Sequence, residues 1–387
     1  MFGAKNFWQD AGQIKRIGVN LRDYCRAPCR VFSRRIFMSH FNPSDAASAD
    51  SGIFGVPVTK DNSLIHLLPV PWDVTTSYGV GASDGPELIL QASEQVDLFD
   101  LEVGNSWRAG YFMKDIPKDL KELNKIMKAK AQELLHLRAD QEGNLALQEK
   151  MQIEINAACE RMSSWVYEQS QQILKDGKIL GLVGGDHSTP FGAIKAVSEK
   201  HNGQIGILHI DAHADLRCAY QGFEHSHASI MYNVMTKIRP QKLVQVGIRD
   251  FCEEEYDFIQ HHPKAIKTFF DLENKKRLLK GESWAKIADE IIQELPDKVY
   301  ISFDIDGLDP ALCPHTGTPV AGGLSLDQVF FLFHQLAESG RQIVGFDLNE
   351  VSSGGEDLDS VEWDGNVGAR VLFKLCGWAV KTNSKQP

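Results

Sequence analysis

Six mostly apolar residues, Ile205 to Ile210, run directly into Asp211, Ala212, His213, Ala214 and Asp215. An apolar run of this length reads as a buried strand. The polar residues that follow occupy every second position, which in extended backbone puts Asp211, His213 and Asp215 on one side of the chain. Two carboxylates and an imidazole at the mouth of a buried strand repel or desolvate one another unless a cation sits among them. They are therefore read as metal ligands.

The pattern recurs along the chain. A first strand is expected from Leu64 in LIHLLPVPWD, followed by the turn-rich TTSYGVGASDGP and the helical ELILQASEQVDLF. Further strands are expected at Ile179–Val183, Leu243–Gly247, Val299–Phe303 and Gln342–Phe346. Between them lie helical stretches such as SWAKIADEIIQEL and SLDQVFFLFHQLAES, the latter with Ser325 and Gln328 at capping-box spacing. Strand, helix, strand over some 200 residues implies an α/β fold with a mainly parallel sheet and helices on both faces. In such sheets ligands bind beyond the carboxyl ends of the strands.

Three more polar clusters fall at those ends. Ile179–Val183 runs into GGDHS, which delivers Asp186 and His187. Val299–Phe303 runs into Asp304, Asp306 and Asp309, and Gln342–Phe346 into Asp347 and Glu350. An aspartate after one strand is usually a cap or turn former. Two imidazoles and at least five aspartates delivered to one rim are another matter, since that charge needs cations. The count exceeds what one catalytic zinc takes and suits two ions bridged by carboxylate. Oxygen and imidazole donors without thiolate favour Mn(II), with Ni, Co or Fe as alternatives. Such ions acidify bound water, so the reaction class is metal-assisted hydrolysis.

GGDHS, DAHAD and SFDIDGLDP, in this order and spacing, resemble the signature motifs of the ureohydrolase family, the arginases and agmatinases. Gly85 and Pro86, and Glu350 in FDLNEVS, match further landmarks, and the resemblance spans roughly residues 60 to 378. It implies a three-layer α/β/α sandwich and a homo-oligomer, trimeric or hexameric. It implies that His187, Asp211, Asp215 and Asp304 hold one manganese and Asp211, His213, Asp304 and Asp306 the other, with Asp211 and Asp304 bridging. It also makes Glu350 the group that orients a cationic guanidino substrate and His227, in SHAS, the proton shuttle, with Asp215 able to accept a hydrogen bond from the nucleophile. The loop LRCAYQGFEHSHAS is closer to agmatinase-like than to arginase-like loops, and CPHTGTP carries His315 where many agmatinases have glycine. Agmatine is thus the first expectation, with guanidinobutyrate, guanidine, arginine or a formimino acid as alternatives. Two other classes compete: a one-zinc deacetylase of the related fold, against which His213 and Asp306 argue, and a non-catalytic member, against which the complete ligand set argues.

Of the neighbouring histidines, His225 reads as a loop residue. His209, inside the strand, reads as a satisfied buried residue, on the face away from the partners of Asp211 or in the core. Asp186 is expected to brace His187 or its turn, Asp309 to serve a turn before Pro310, and Cys218 and Cys313 simply to pack.

The formal charge of −11 argues against nucleic-acid and anionic-membrane partners. Seven scattered cysteines suit reduced thiols in a cytoplasm better than a disulfide framework. No apolar run approaches the ~20 residues of a membrane-spanning helix. Residues 1–37 carry eight basic residues against Asp10 and Asp23, which reads as a disordered tail or a start placed too early, with an organelle leader as the alternative. Residues 1–59 are expected to form a basic leader and a polar, loop-like extension, and 60–380 one domain. Residues 114–176 should form amphipathic helices, interrupted near Asp140 to Asn144, with Ile153, Ala157, Met162 and Val166 on the inner face. They should cover the sheet rather than make an oligomer contact.

Overall fold

Every strand end foreseen as a ligand carrier belongs to a single sheet. The computed structural model describes residues 41–47, 51–140, 144–356 and 362–384; the basic leader, with Cys25 and Cys29, lies outside them. Eight strands are β1 (Ile65–Val70), β2 (Tyr111–Met113), β3 (Ile179–Gly184), β4 (Gly206–Ile210), β5 (Lys242–Val246), β6 (Ile266–Phe269), β7 (Lys298–Asp304) and β8 (Gln342–Asn349). They pair in parallel, in the order β2-β1-β3-β8-β7-β4-β5-β6.

Two strands were not foreseen. Strands β2 and β6 have three and four residues and lie at the two edges, too short for periodicity to register. Strand β8 also runs on to Asn349, past the expected end at Phe346. Asp347 looks like a strand end in sequence, but its Oδ1 accepts from Ser302 Oγ, the Phe303 N–H and Asn349 Nδ2, so the carboxylate is tied down inside the sheet through that oxygen.

The helices are α1 (Gly85–Ser93), α2 (Lys118–Ala139), α3 (Leu145–Lys175), α4 (Phe191–Lys200), α5 (Ile230–Asn233), α6 (Glu253–His261), α7 (Asp271–Leu279), α8 (Trp284–Gln293), α9 (Leu326–Glu338) and α10 (Glu362–Ser384). Strand alternation sorts the core into two layers. Ile65, Leu67, Leu208, Ile210, Ile301, Phe303 and Phe346 pack with α1, α8, α9 and α10. Leu68, Val70, Leu180, Leu182, Ile207 and Tyr300 pack with α2, α3, α4 and α5. The result is the expected three-layer α/β/α sandwich. The capping box forms as foreseen: Ser325 Oγ accepts from the Gln328 N–H, and Gln328 Oε1 from the Ser325 N–H.

The helical region divides where the sequence indicated, with α2 ending at Ala139 and Asn144 capping α3 through the Ala146 N–H. The inner face of α3 differs from expectation at its start: Met151, Ile155, Ala158 and Cys159 are buried, whereas Ile153 is 68% exposed. The polar extension differs too. Ile53, Phe54 and Val56 are buried, and the Phe54 ring packs edge-on to Tyr111 and Phe373. Three apolar residues in a polar, Gly-rich setting carry no readable period. Among the described residues, no helix is long and apolar enough to cross a membrane.

Phe346 is fully buried in a central strand. Phe346→Ala should cost about 3–5 kcal/mol of unfolding free energy, measured by urea denaturation; a loss below ~1 kcal/mol would contradict this packing.

Candidate metal centre

Strands β3 and β4 are consecutive in the chain but separated in the sheet by β8 and β7. The loops leaving β3 and β4 lead to α4 and α5 on one face of the sheet, whereas those leaving β7 and β8 lead to α9 and α10 on the other. Such a change of face between neighbouring strands marks the carboxyl ends where ligands bind. His187 follows β3, Asp211, His213 and Asp215 follow β4, and Asp304 and Asp306 stand at the end of β7.

These six side chains converge. His187 Nδ1 lies 2.9 Å from Asp211 Oδ2, 3.1 Å from Asp304 Oδ2 and 3.3 Å from Asp215 Oδ2. His213 Nδ1 lies 3.0 Å from Asp306 Oδ2 and 3.5 Å from Asp211 Oδ1. Asp211 thus turns one oxygen to each imidazole, the position a bridging carboxylate needs. Both histidines present Nδ1 to the cluster. For His187 the reason is visible: Nε2 donates to Ser302 Oγ, which donates to Asp347, so the Nδ1 lone pair is left facing inward. His213 Nε2 points instead toward Asp250, 3.7 Å away.

The electrostatics follow from burying this much negative charge. Burial alone would lower the His187 imidazole, but hydrogen bonds to Asp211, Asp215 and Asp304 outweigh it and hold it well above its usual range. His213, similarly opposed by burial, is driven up to about 12 by Asp306 and Asp211. Burial, and then the charge of Asp211, raises Asp215 to about 7, and burial with Asp306 and Asp211 raises Asp304 well above a normal carboxylate. Each of these shifts favours positive charge among the buried oxygens, which a divalent cation would supply. Two inward Nδ1 atoms, four buried carboxylates and a shared Asp211 fit a pair of such ions. The nearby Cys313 thiol is raised by burial, then by Asp364, Asp304 and Asp306, so it offers no thiolate.

Glu350 adjoins this cluster. Its Oε1 accepts from the His187 N–H at 2.9 Å, while Oε2 is buried with no hydrogen-bond partner among the described residues. Burial, and then Asp186, raises its pKa well above normal. A cationic group placed there would satisfy that oxygen and favour the ionised carboxylate. His227 lies at the rim, with Nδ1 3.1 Å from Thr75 O and Nε2 3.3 Å from Ser77 Oγ. A carbonyl oxygen can only accept, so Nδ1 carries the proton and Nε2 is the free base. Burial, reinforced by His213, pushes His227 down to about 4 and keeps it neutral at pH 7.

Other expectations divide. His225 packs against the Phe191 ring, away from the cluster, and Asp309 holds its turn through the Ala311 N–H. Asp186 braces its turn through Ser188. Cys313 is buried and Cys218 exposed. His209 is buried and hydrogen-bonded as expected, but not on the face away from the partners of Asp211. Its Nε2 lies 2.8 Å from Asp211 Oδ2, on the same face. Residues two apart in a strand share a face, so the period already implied this. Asp347 also departs, standing behind His187 instead of at the rim. The roles of Ser302 and Gln245, which donates to His209 Nδ1, carried no readable signal, because their partners come from other strands.

The geometry defines an α/β/α protein with a buried carboxylate–imidazole cluster suited to divalent cations, and comparison with known proteins gives the family. The arginase-family profile matches residues 63–375, and the chain belongs to the arginase family, whose ureohydrolases cleave a C–N bond of guanidino compounds. It is 32% identical over 296 residues to an N(1)-aminopropylagmatine ureohydrolase of Thermus thermophilus, covering 76% of this chain and 85% of that one. It is 33% identical over 217 residues to an agmatinase of Bacillus subtilis, covering 56% and 69%. The fold is similar to that of an agmatine ureohydrolase of Thermoplasma volcanium, with a TM-score of 0.64 at 21% identity over 90% of this chain and 98% of that one.

Since the raised His187, His213, Asp215 and Asp304 favour protons that cations would displace, metal loading should release protons, and divalent-ion affinity should rise with pH from 6 to 8 and fall in acid. Titration calorimetry in buffers of different ionisation enthalpy would show this; pH-independent binding would contradict it. His213→Ala should lower metal content from two ions per chain to one and nearly abolish turnover, as read by elemental analysis and assay.

Proposed function

We propose that the chain hydrolyses a guanidino compound without an α-amino acid head, agmatine first, to urea and a free amine. The observation that carries this reading is the buried Glu350 Oε2, without a hydrogen-bond partner among the described residues, beside a carboxylate–imidazole cluster. His187, Asp211, Asp215 and Asp304 would hold one divalent ion and Asp211, His213, Asp304 and Asp306 the other, Mn(II) being the first choice and Ni(II) the alternative. When bound, such ions acidify water and stabilise negative charge.

The chain's own residues do the rest. A guanidinium carbon is a poor electrophile because its charge is spread over three nitrogens, so orientation is essential. Glu350 Oε2 accepts hydrogen bonds from the guanidinium and fixes its plane. Asp215, on the rim of the cluster, accepts a hydrogen bond from the attacking oxygen. The neutral Nε2 of His227 takes up a proton and returns it to the leaving nitrogen. Guanidinium and water become urea and an alkylammonium ion, so the charge is conserved.

A second reading is N(1)-aminopropylagmatine. It is favoured by the extent of the match to the Thermus thermophilus enzyme, which exceeds that to the agmatinase. Both substrates are cationic amines and suit an acidic chain. A homo-oligomer, trimeric or hexameric, in the cytoplasm accompanies the proposal.

Urea release should be assayed with Mn(II)- and Ni(II)-loaded protein on agmatine, N(1)-aminopropylagmatine, arginine, guanidinobutyrate and guanidine. Turnover of one of the first two with little on arginine is expected; no urea from any would refute the proposal. Glu350→Gln should lower kcat/KM by about 10- to 100-fold, as loss of a charge-assisted hydrogen bond predicts, with metal content unchanged.

A further inference from the structure

We propose that the α2–α3 helical pair positions His227, holding in place both loops that touch its ring. This rests on the proton-carrying role of His227 proposed above.

The first tie is to the loop after β1. Asp73 is fully buried, and its polar side-chain contacts come from one face of α2. Asn124 Oδ1 accepts from the Asp73 N–H at 2.7 Å, Asn124 Nδ2 donates to Asp73 Oδ1 at 2.9 Å, and Lys128, one turn on, places its ammonium on Asp73 Oδ2. The flanking Trp72 and Val74 are buried among apolar residues of α2 and α3. A buried ion pair in such a setting contributes little stability beyond what apolar packing would, whereas its directional bonds fix one placement of the backbone. That backbone holds His227. Thr76 Oγ1 donates back to Asp73 O, Thr75 O accepts from His227 Nδ1, and Ser77 Oγ meets His227 Nε2. Both ring nitrogens are thus engaged within four residues of Asp73.

The second tie is to the loop on the other side of the ring. Near the end of α2, Arg138 donates through Nη1 to Gln221 O at 2.7 Å and through Nη2 to Gln152 Oε1 of α3 at 3.0 Å. Gln221 has φ 53° and precedes Gly222, where an added Cβ would lie 2.8 Å from Gln152 Oε1. This tight turn carries Tyr220, whose ring stands edge-on to His227 at 6.2 Å. The helical region therefore does more than cover the sheet. It determines where the neutral Nε2 points, and a displacement of about 1 Å in a proton carrier costs on the order of 100-fold in rate.

The test uses the full, metal-loaded chain with agmatine as substrate. Lys128→Met should lower kcat at least about 10-fold with KM changed less than about threefold, and with metal content unchanged. Lys128→Arg should restore most of the loss. In a His227→Ala background, Lys128→Met should cost less than about twofold more, because its effect passes through His227. Should Lys128→Met fail to fold, Asp73→Asn combined with Lys128→Met removes both charges and serves in its place. Hydrogen exchange supplies a readout independent of turnover: residues 71–79 should exchange faster in Lys128→Met and residues 217–229 in Arg138→Met, with the central strands unchanged. An unaltered kcat, an undiminished effect in the His227→Ala background, or unaltered exchange in both loops would overturn the inference. If the unmodified protein releases no urea from any guanidino compound, the functional reading fails by itself, and the exchange result alone decides the positioning claim.

Discussion

Asp211 is the point on which the structure turns. It is fully buried, it faces His187 with one oxygen and His213 with the other, and it also receives His209. Three further carboxylates, Asp215, Asp304 and Asp306, are buried around it. Burying that much like charge is affordable only if positive charge is supplied at the same place. Raised pKa values at His187, His213, Asp215 and Asp304 are the response of the bare donor set. They mark the site as built for cations.

The rest of the sheet edge holds these donors in place. Ser302 and Asp347 set the ring of His187 from behind, and Thr268, Gln245 and His209 form a hydrogen-bonded line that ends on Asp211. Arg249 gathers the loop after β7, donating to the carbonyls of Asp306, Leu308 and Val320. His187 is thereby oriented by residues of β7 and β8, and Asp211, through His209, by Gln245 of β5, so that the geometry of these two donors depends on the register of the sheet.

Backbone conformation shows where function competes with propensity. Asp215 and Glu350 both adopt left-handed backbone, with φ of 55° and 62°, uncommon for residues with a Cβ. Glu350 is held there by its N–H to Gly185 O and by Thr316 Oγ1 donating to its carbonyl. Gly185 is required where it stands, since a Cβ would lie 1.9 Å from Trp72 O. The left-handed turn aims the Glu350 carboxylate toward His187.

The sequence by itself determined the layers and most of the carboxylate–imidazole rim. Apolar runs closed by acidic residues and histidines, separated by amphipathic stretches, imply a parallel sheet with its site at the strand ends, and the every-second-residue spacing of Asp211, His213 and Asp215 is visible without coordinates. What is local in the chain is legible because backbone periodicity is local. Only the tertiary structure decided that two strands lie between β3 and β4, that Asp347 serves His187 and not the rim, that Ile53 and Phe54 enter the core, and that α2 reaches Asp73 and Gln221. Each of these depends on a partner far away in the chain, and the identity of that partner is set by sheet order and packing, which no local pattern encodes.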